Sequence, residues 1–158
     1  PLRRRFRSLF DKAQHDRRQD TPSIFIEGAL VAEALLDDQQ DVCVLHGDVH
    51  HGNILYSEKR GWLAIDPKGL YGERTFDVAN VLCNPVSMPE LVTNETRLIH
   101  NVNVFSQKMN ISGCRILRYV FAYACLSACW SLEDGQDESL ALSIAKITRS
   151  HIASHGCT

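Results

Sequence analysis

The segment that most constrains the fold is VCVLHGDVHHGNILYSEKRGWLAID, residues 42–66. Apolar and β-branched residues alternate in it and are bounded by glycine and charged residues, a pattern typical of strands and hairpins. We predict a strand, a polar loop and a two-stranded hairpin, at residues 42–45, 46–52 and 54–56 paired with 62–65, with the turn at 57–61. The hairpin brings together three oxygen-bearing side chains that lie where strands meet loops: Asp48, Asn53 and Asp66.

These three side chains have the chemistry of a magnesium site with a free carboxylate beside it. Mg2+ prefers a few protein oxygen ligands, completed by phosphate and water. The spacing His46-x-Asp48-x-x-x-x-Asn53, with Asp66 after the hairpin, matches the catalytic loop H-R-D-x-x-x-x-N and the later metal-binding Asp of protein kinases. In that arrangement the first Asp orients and deprotonates a hydroxyl, while the Asn and the second Asp hold the metal. The pattern therefore predicts transfer of a phosphoryl group to a hydroxyl.

The same residues carry a resemblance to a known family. HGDVHHGNIL followed by AIDPKGLYGERTFDVANVLCNP resembles the aminoglycoside phosphotransferases, antibiotic-resistance kinases with a protein-kinase-like fold, and within them the streptomycin 6-kinase and hydroxyurea-resistance branch. The resemblance implies ATP and Mg2+ as cofactors, Asp48 as catalytic base, and Asn53 and Asp66 as metal ligands. It also implies that Asp77 accepts hydrogen bonds that shape the loop. Protein kinases have D-F-G where this chain has Asp-Pro-Lys-Gly from Asp66, so we infer no phenylalanine-dependent switch.

The resemblance implies an α+β fold that is mainly α-helical: the C-terminal lobe of a protein-kinase-like fold, with a small β-hairpin at the catalytic loop. Apolar periodicity and breaker residues predict helices at residues 2–18, 23–36, 73–82, 91–109, 115–132 and 139–153. We expect residues 68–72 to form a loop at the mouth of the site. Read from the sequence alone, Asp77 lies near a helix start, where an acid can accept backbone N–H groups.

The parts of a kinase that clamp the nucleotide are not recognisable before Val42. There is no glycine-rich strand turn and no V-A-I-K-like strand, and Gly28, in a helical pattern, is the only glycine before the predicted catalytic loop. We therefore expect residues 1–158 to be the C-terminal lobe, with the N-terminal lobe absent and the isolated fragment inactive. Apolar surface that faced the missing lobe is expected to be exposed and able to drive dimerisation.

Composition fits one globular domain. At 158 residues, 44% hydrophobic and with a net charge of -2, the chain gives no reason to expect a nucleic-acid partner or a membrane. Its first residues, PLRRRFRSLF, lack the apolar core of a signal peptide. Six cysteines form no C-x-x-C pair and lie mostly among apolar residues, which predicts reduced, buried thiols in a cytoplasmic protein: Cys43, Cys83, Cys114, Cys125, Cys129 and Cys157.

The acceptor is the least constrained part of the prediction. Aminoglycosides are polycationic, so carboxylates should surround the cleft that binds them. Acidic residues cluster at a predicted helix-helix turn: Glu133, Asp134, Asp137 and Glu138. The alternative interpretation of this cluster is a solvated acidic turn. Lys68 also has two interpretations: it contacts a phosphate, or it is a solvated lysine of the loop.

A second hypothesis from a different class is a metal-dependent hydrolase that uses His46, Asp48, His50 and His51 to bind zinc. Against it, neighbouring residues of an extended loop point in different directions. We prefer His46 as a core histidine that braces the loop by hydrogen bonds, and expect His50 and His51 at pocket or solvent positions.

Overall fold

The computed structural model describes residues 1–157, which form eight α-helices and four short strands. In chain order these are α1 Leu2–Arg5, α2 Arg7–Arg18, α3 Ile24–Asp37, β1 Val42–Leu45, β2 Ile54–Ser57, β3 Gly61–Ala64, β4 Leu70–Glu73, α4 Thr75–Leu82, α5 Pro89–Val92, α6 Glu95–Met109, α7 Gly113–Glu133 and α8 Ser139–Ser154. A 3-10 turn, His51–Asn53, precedes β2. The predicted class, α+β and mainly α-helical, is confirmed.

The strands form two antiparallel pairs. β2 and β3 make the predicted hairpin, with Ile54 opposite Ala64. β1 pairs with β4, with Val42 opposite Glu73, so the prediction of a loop over residues 68–72 is wrong from Leu70 onward. The pairing brings β4 against α1, and a Cβ atom at Gly72 would lie 2.6 Å from Cβ of Leu2. β4 can therefore reach this position because Gly72 has no side chain.

Helix α7 is the centre of the core. Twelve of its residues are buried, and α2, α3, α4 and α8 all pack against it. Its contact with α3 is close, since a Cβ atom at Gly28 would lie 2.7 Å from Sγ of Cys125. A helix that is apolar on most of its faces must be covered on all sides, which is why the surrounding helices form one layer around it.

All six predicted helices differ from the structure by at least one residue, and three of these differences have a local cause. The helix predicted at 2–18 is divided at Phe6, which has φ -81° and ψ 3° and whose fully buried ring packs edge-on against Phe76 at 5.8 Å. The helix predicted at 91–109 begins at Glu95, because Asn94 caps it by accepting the N–H of Arg97 at 2.8 Å. The helix predicted from residue 73 begins at Thr75, since the two preceding residues complete and leave β4.

The cysteine prediction is wrong for two residues, because Cys114 and Cys157 form a disulfide. Their sequence separation of 43 gives no local signal of the pairing. Cys43 is a free thiol as predicted, but it is exposed on β1, so its predicted burial is also wrong. The other three are free and buried as expected, and burial raises the pKa of the Cys83 and Cys129 thiols, in each case to about 12.

Both sheets leave apolar side chains on the surface. Val44 and Tyr71 face each other across β1 and β4, and Tyr56 and Trp62 do so across the hairpin. Each is more than half exposed, with Val44 at 77% and Trp62 at 72%. We refer to these four residues as the strand face. Dimerisation through such a face stays a prediction, which sedimentation can check. Within residues 1–157, no helix combines the length and the hydropathy needed to cross a bilayer.

Candidate active site

The loop after β1 is held by the carboxylate of Asp77, which lies in the first turn of α4. Its Oδ2 accepts the N–H of His46 and its Oδ1 accepts the N–H of Gly47, both at 2.8 Å. Gly47 has φ +81°, and a Cβ atom there would lie 2.8 Å from Cγ of Leu70, so the turn requires glycine. Asp77 thus binds the loop, as the resemblance implied, rather than the N–H groups at its own helix start.

The imidazole of His46 braces the other side of the loop. Its Nδ1 accepts the N–H of Asp48 at 3.3 Å, and its Nε2 lies 2.8 Å from the carbonyl oxygen of Ile65. Because a carbonyl can only accept and a backbone N–H can only donate, Nε2 is the donor of the ring and Nδ1 is its acceptor. The ring is half-buried rather than in the core, so the structure agrees with the bracing contacts that we expected but not with full burial.

The hairpin places Asn53 and Asp66 at its two ends. The N–H of Ile65 donates to the carbonyl of Asn53 at 2.9 Å, so Asp66 follows directly after the residue paired with Asn53. The Asn53 side chain is buried, and its Nδ2 donates to the carbonyl of Asp48 at 2.9 Å. This bond fixes the amide and leaves Oδ1 as an available acceptor. An amide oxygen and a carboxylate fit the ligand preference of Mg2+.

The carboxylates of Asp48 and Asp66 share one cationic neighbour. Nζ of Lys68 lies 3.0 Å from Oδ2 of Asp66 and 3.7 Å from Oδ2 of Asp48. Nε2 of His50 lies 3.8 Å from the same Asp48 oxygen. The hydrogen bond with Asp66 raises the pKa of the Lys68 ammonium. Two nitrogens therefore surround Oδ2 of Asp48, while Oδ1 has no protein partner among residues 1–157. The sequence did not decide between the two interpretations of Lys68. Its position two residues after Asp66 was the signal in the sequence for the contact between them.

The histidines of the loop do not converge on a common point. Nδ1 of His50 accepts the N–H of Gly52 at 3.0 Å, and His51 is exposed in the 3-10 turn. In the part of the chain that the structure describes, no three His, Cys, Asp or Glu side chains gather in a way that would hold a metal ion. The arrangement gives no support to the hydrolase hypothesis.

Two of the acidic residues at the end of α7 and in the turn after it line different cavities. Glu133 accepts a hydrogen bond from Ser8 at 3.1 Å and lines a smaller cavity against α2. Asp137 lines a larger cavity of about 610 Å³. Asp134 lines neither of these two cavities. The three predicted substrate residues are therefore not brought together, because the chain reverses direction between α7 and α8.

The larger cavity lies between α5, α7 and α8 and is bordered by Cys83 at the end of α4. Its lining contains two carboxylates, Glu90 and Asp137, and no basic side chain. Five hydroxyl groups also line it, those of Thr93, Ser127, Ser131, Ser139 and Ser143. The carboxylate of Asp137 accepts the N–H and the hydroxyl of Ser139 at 2.9 and 2.8 Å. These bonds lower the pKa of Asp137 below its ordinary value.

Comparison with known proteins decides the family. Residues 1–135 match the model of the aminoglycoside/hydroxyurea antibiotic resistance kinases. The chain belongs to this family. It is 41% identical over 138 residues to a streptomycin 3''-kinase of Klebsiella pneumoniae, covering 85% of this chain and 50% of that protein. It is 27% identical over 111 residues to a streptomycin 6-kinase of Streptomyces glaucescens, covering 68% of this chain and 36% of that protein.

The chain is also 49% identical over 41 residues to a hydroxyurea phosphotransferase of Kitasatospora aureofaciens, covering 26% of this chain and 12% of that protein. The chain thus spans half the length of the streptomycin 3''-kinase and a smaller share of the other two relatives.

Proposed function

We propose that this resistance-kinase chain is the catalytic part of a phosphotransferase that moves the γ-phosphate of ATP to an alcohol group of a small molecule. The observation that carries the proposal is the meeting of Asp48 and Asp66 at one ammonium group, with Asn53 fixed on the Asp48 backbone. Catalysis of this reaction rests on positioning and electrostatics rather than on covalent chemistry. A rigid loop that holds three oxygen-bearing side chains supports it.

Each side chain has a role that its contacts allow. Asp48 would accept the proton of the acceptor hydroxyl through Oδ1, because nitrogens surround its Oδ2. Asn53 and Asp66 would hold Mg2+, which when bound supplies the charge that stabilises the phosphate groups. His46 and Asp77 would fix the loop through the hydrogen bonds that they make to its backbone.

An aminoglycoside such as streptomycin is the acceptor that we propose. The streptomycin kinases among the relatives support this choice, and the larger cavity has matching chemistry, since two carboxylates and several hydroxyl groups suit a polyhydroxylated cation. Cys83, at the border of this cavity, lies six positions after Asp77, which corresponds to about 9 Å along a helix. The cavity therefore borders the end of α4, the helix whose first turn holds the catalytic loop through Asp77. Of the predicted substrate residues, Asp137 fits best, whereas Glu133 and Asp134 lie away from this cavity.

We further propose that residues 1–158 form the C-terminal lobe of a protein-kinase-like fold. A glycine-rich phosphate loop and its lysine are not recognisable in this sequence, and a kinase needs both to hold ATP. We therefore expect negligible transfer by the 158 residues alone. ATP-dependent transfer by this chain, measured beside the product of the complete reading frame, would contradict that expectation.

The test of the main proposal is the variant Asp48→Asn in the product of the complete reading frame. Phosphorylation of streptomycin is followed by mass spectrometry, with a panel of other aminoglycosides in parallel. We expect turnover to be lost while circular dichroism stays unchanged, because the half-buried carboxylate is replaced by an amide of the same shape. Asp11→Asn, an exposed acid on α2, is the matched control and should keep full turnover. Turnover by Asp48→Asn at the rate of the control would refute the role of Asp48.

A further inference from the structure

Lys68 has contacts that the proposed mechanism does not yet use. It is the residue whose ammonium group reaches both Asp48 and Asp66, at 3.7 and 3.0 Å between Nζ and the Oδ2 atoms. Its backbone is also fixed, because its N–H donates to the carbonyl of His46 at 2.7 Å. The backbone of Lys68 is therefore attached to the catalytic loop, and its ammonium group lies between the carboxylates of the two acids.

We propose that Lys68 is a placeholder cation, which lies between Asp48 and Asp66 and competes with a divalent ion for Asp66. The inference rests on the proposed function, since it takes Asp66 as a metal ligand. Lys68 is then a positioning residue, which acts on the site through the two carboxylates that it contacts.

Electrostatics explain why such a cation is useful. Two carboxylates that face one region repel each other, and without a cation between them their side chains would turn apart. The ammonium lies 3.7 Å from one carboxylate and 3.0 Å from the other, and its positive charge offsets their repulsion. An ammonium on a flexible four-carbon stem can also leave at low cost, and the Lys68 side chain is 45% exposed. Lys68 thus holds the two carboxylates in position and can still be displaced by a metal ion.

Competition follows from the shared oxygen atom. The ammonium binds Oδ2 of Asp66, and a divalent ion on the same carboxylate would stand beside a like charge. Binding of the metal therefore includes the cost of moving Lys68 away from Asp66. Removal of the ammonium should tighten metal binding, whereas a change that merely damages the site should weaken it. The sign of the effect separates the two explanations.

The test measures the binding of Mn2+ to the product of the complete reading frame in the absence of nucleotide. Electron paramagnetic resonance and calorimetry give the affinity. Lys68→Met keeps the length of the side chain and removes its charge. We expect it to bind Mn2+ more tightly by a factor of about five, the effect of one unit-charge contact at roughly 4 Å in water. Lys68→Arg keeps the charge and should stay near wild type. Lys59→Met, in the exposed turn of the hairpin, is the control and should change nothing.

Four outcomes decide the question. Tighter Mn2+ binding by Lys68→Met alone supports the proposal. Equal or weaker binding by Lys68→Met, with the fold intact by circular dichroism, overturns it. Asp66→Asn is measured beside them: if it binds Mn2+ as well as wild type does, the metal assignment of the proposed function fails first and the placeholder role with it. Loss of binding in Asp66→Asn, together with no gain in Lys68→Met, removes only the role of Lys68.

Discussion

Replacement of Glu73 by glutamine should destabilise the protein far more than the same exchange at a surface carboxylate. The Glu73 side chain is 1% exposed and lies where β4 meets α7. Its two oxygens accept five hydrogen bonds: from Arg115 Nη2 at 2.6 Å and Nε at 2.7 Å, Thr75 Oγ1 at 2.6 Å, the Gln40 N–H at 2.9 Å and Tyr119 OH at 3.1 Å. One carboxylate thus joins β4 to the start of α4, to the segment before β1 and to the central helix α7.

The magnitude follows from what the amide cannot accept. Glu73→Gln turns one oxygen into an NH2 group, which then faces at least two donors and leaves them without an acceptor. A buried donor without a partner costs about 1–3 kcal/mol, and breaking a buried ion pair on one side costs about 3–5 kcal/mol. We therefore expect the free energy of unfolding to fall by about 4 kcal/mol, or roughly 8–16 °C in Tm for a domain of this size.

The assay is urea unfolding followed by circular dichroism at pH 7, with the midpoint and the slope fitted together. Glu27→Gln is the matched control, because Glu27 pairs with Arg149 at 3.0 Å but both side chains are about half exposed. Such a surface pair contributes about 0.2–1 kcal/mol. If Glu73→Gln costs no more than this control, the reasoning about the buried carboxylate is refuted.

The pH dependence of the same variant has a definite sign. Burial alone would raise the pKa of Glu73, but hydrogen bonds from Arg115, the Gln40 N–H and Thr75 outweigh it and hold the pKa below its ordinary value. A carboxyl group of this kind adds stability above its unfolded pKa, and the gain is lost as the pH falls through the folded pKa. The difference between wild type and Glu73→Gln should be full at neutral pH and shrink below about pH 4.

Three further predictions test the loop, the disulfide and the core. Asp77→Asn leaves one of two loop amides without an acceptor, so these amides should exchange with deuterium faster and turnover should fall; unchanged exchange would contradict this. Reduction of Cys114–Cys157, which closes a loop across a sequence separation of 43, should lower stability by about 2–4 kcal/mol, and an equal Tm with and without dithiothreitol would argue against it. Gly28→Ala forces a methyl group against Cys125 and should cost about 1–3 kcal/mol in urea unfolding, whereas no loss would show that the helices separate easily.

Elements with local signals were predictable from the sequence. β1 and the β2–β3 hairpin have their alternation and their glycine turn within a short segment, and α7 and α8 were predicted to within two residues at each end. β4 was missed because Leu70–Glu73 is four residues long and contains a glycine, and its partner β1 lies far back in the chain. Pairing at that range leaves no trace in local composition.

The site was predictable in its spacing but not in its contacts. The positions of Asp48, Asn53 and Asp66 follow from a hairpin that returns the chain to its start. The bonds that hold the loop depend on Asp77, some thirty residues away, and only the family resemblance indicated them. The contacts of Lys68 depend on how the chain turns after Asp66, where φ is +57°, and no sequence rule fixes the path of a non-glycine residue in that conformation.

The strand face also gives the protein an optical reporter. The chain has two tryptophans: Trp62 is exposed beside Tyr56 on the hairpin, while Trp130 is half-buried with the guanidinium of Arg5 at 4.2 Å from its ring. The indole in water should emit at longer wavelength than the covered one. Trp130→Phe would leave a single emitter on the hairpin that carries Asn53, and any molecule that comes to cover these strands should shift its fluorescence to the blue.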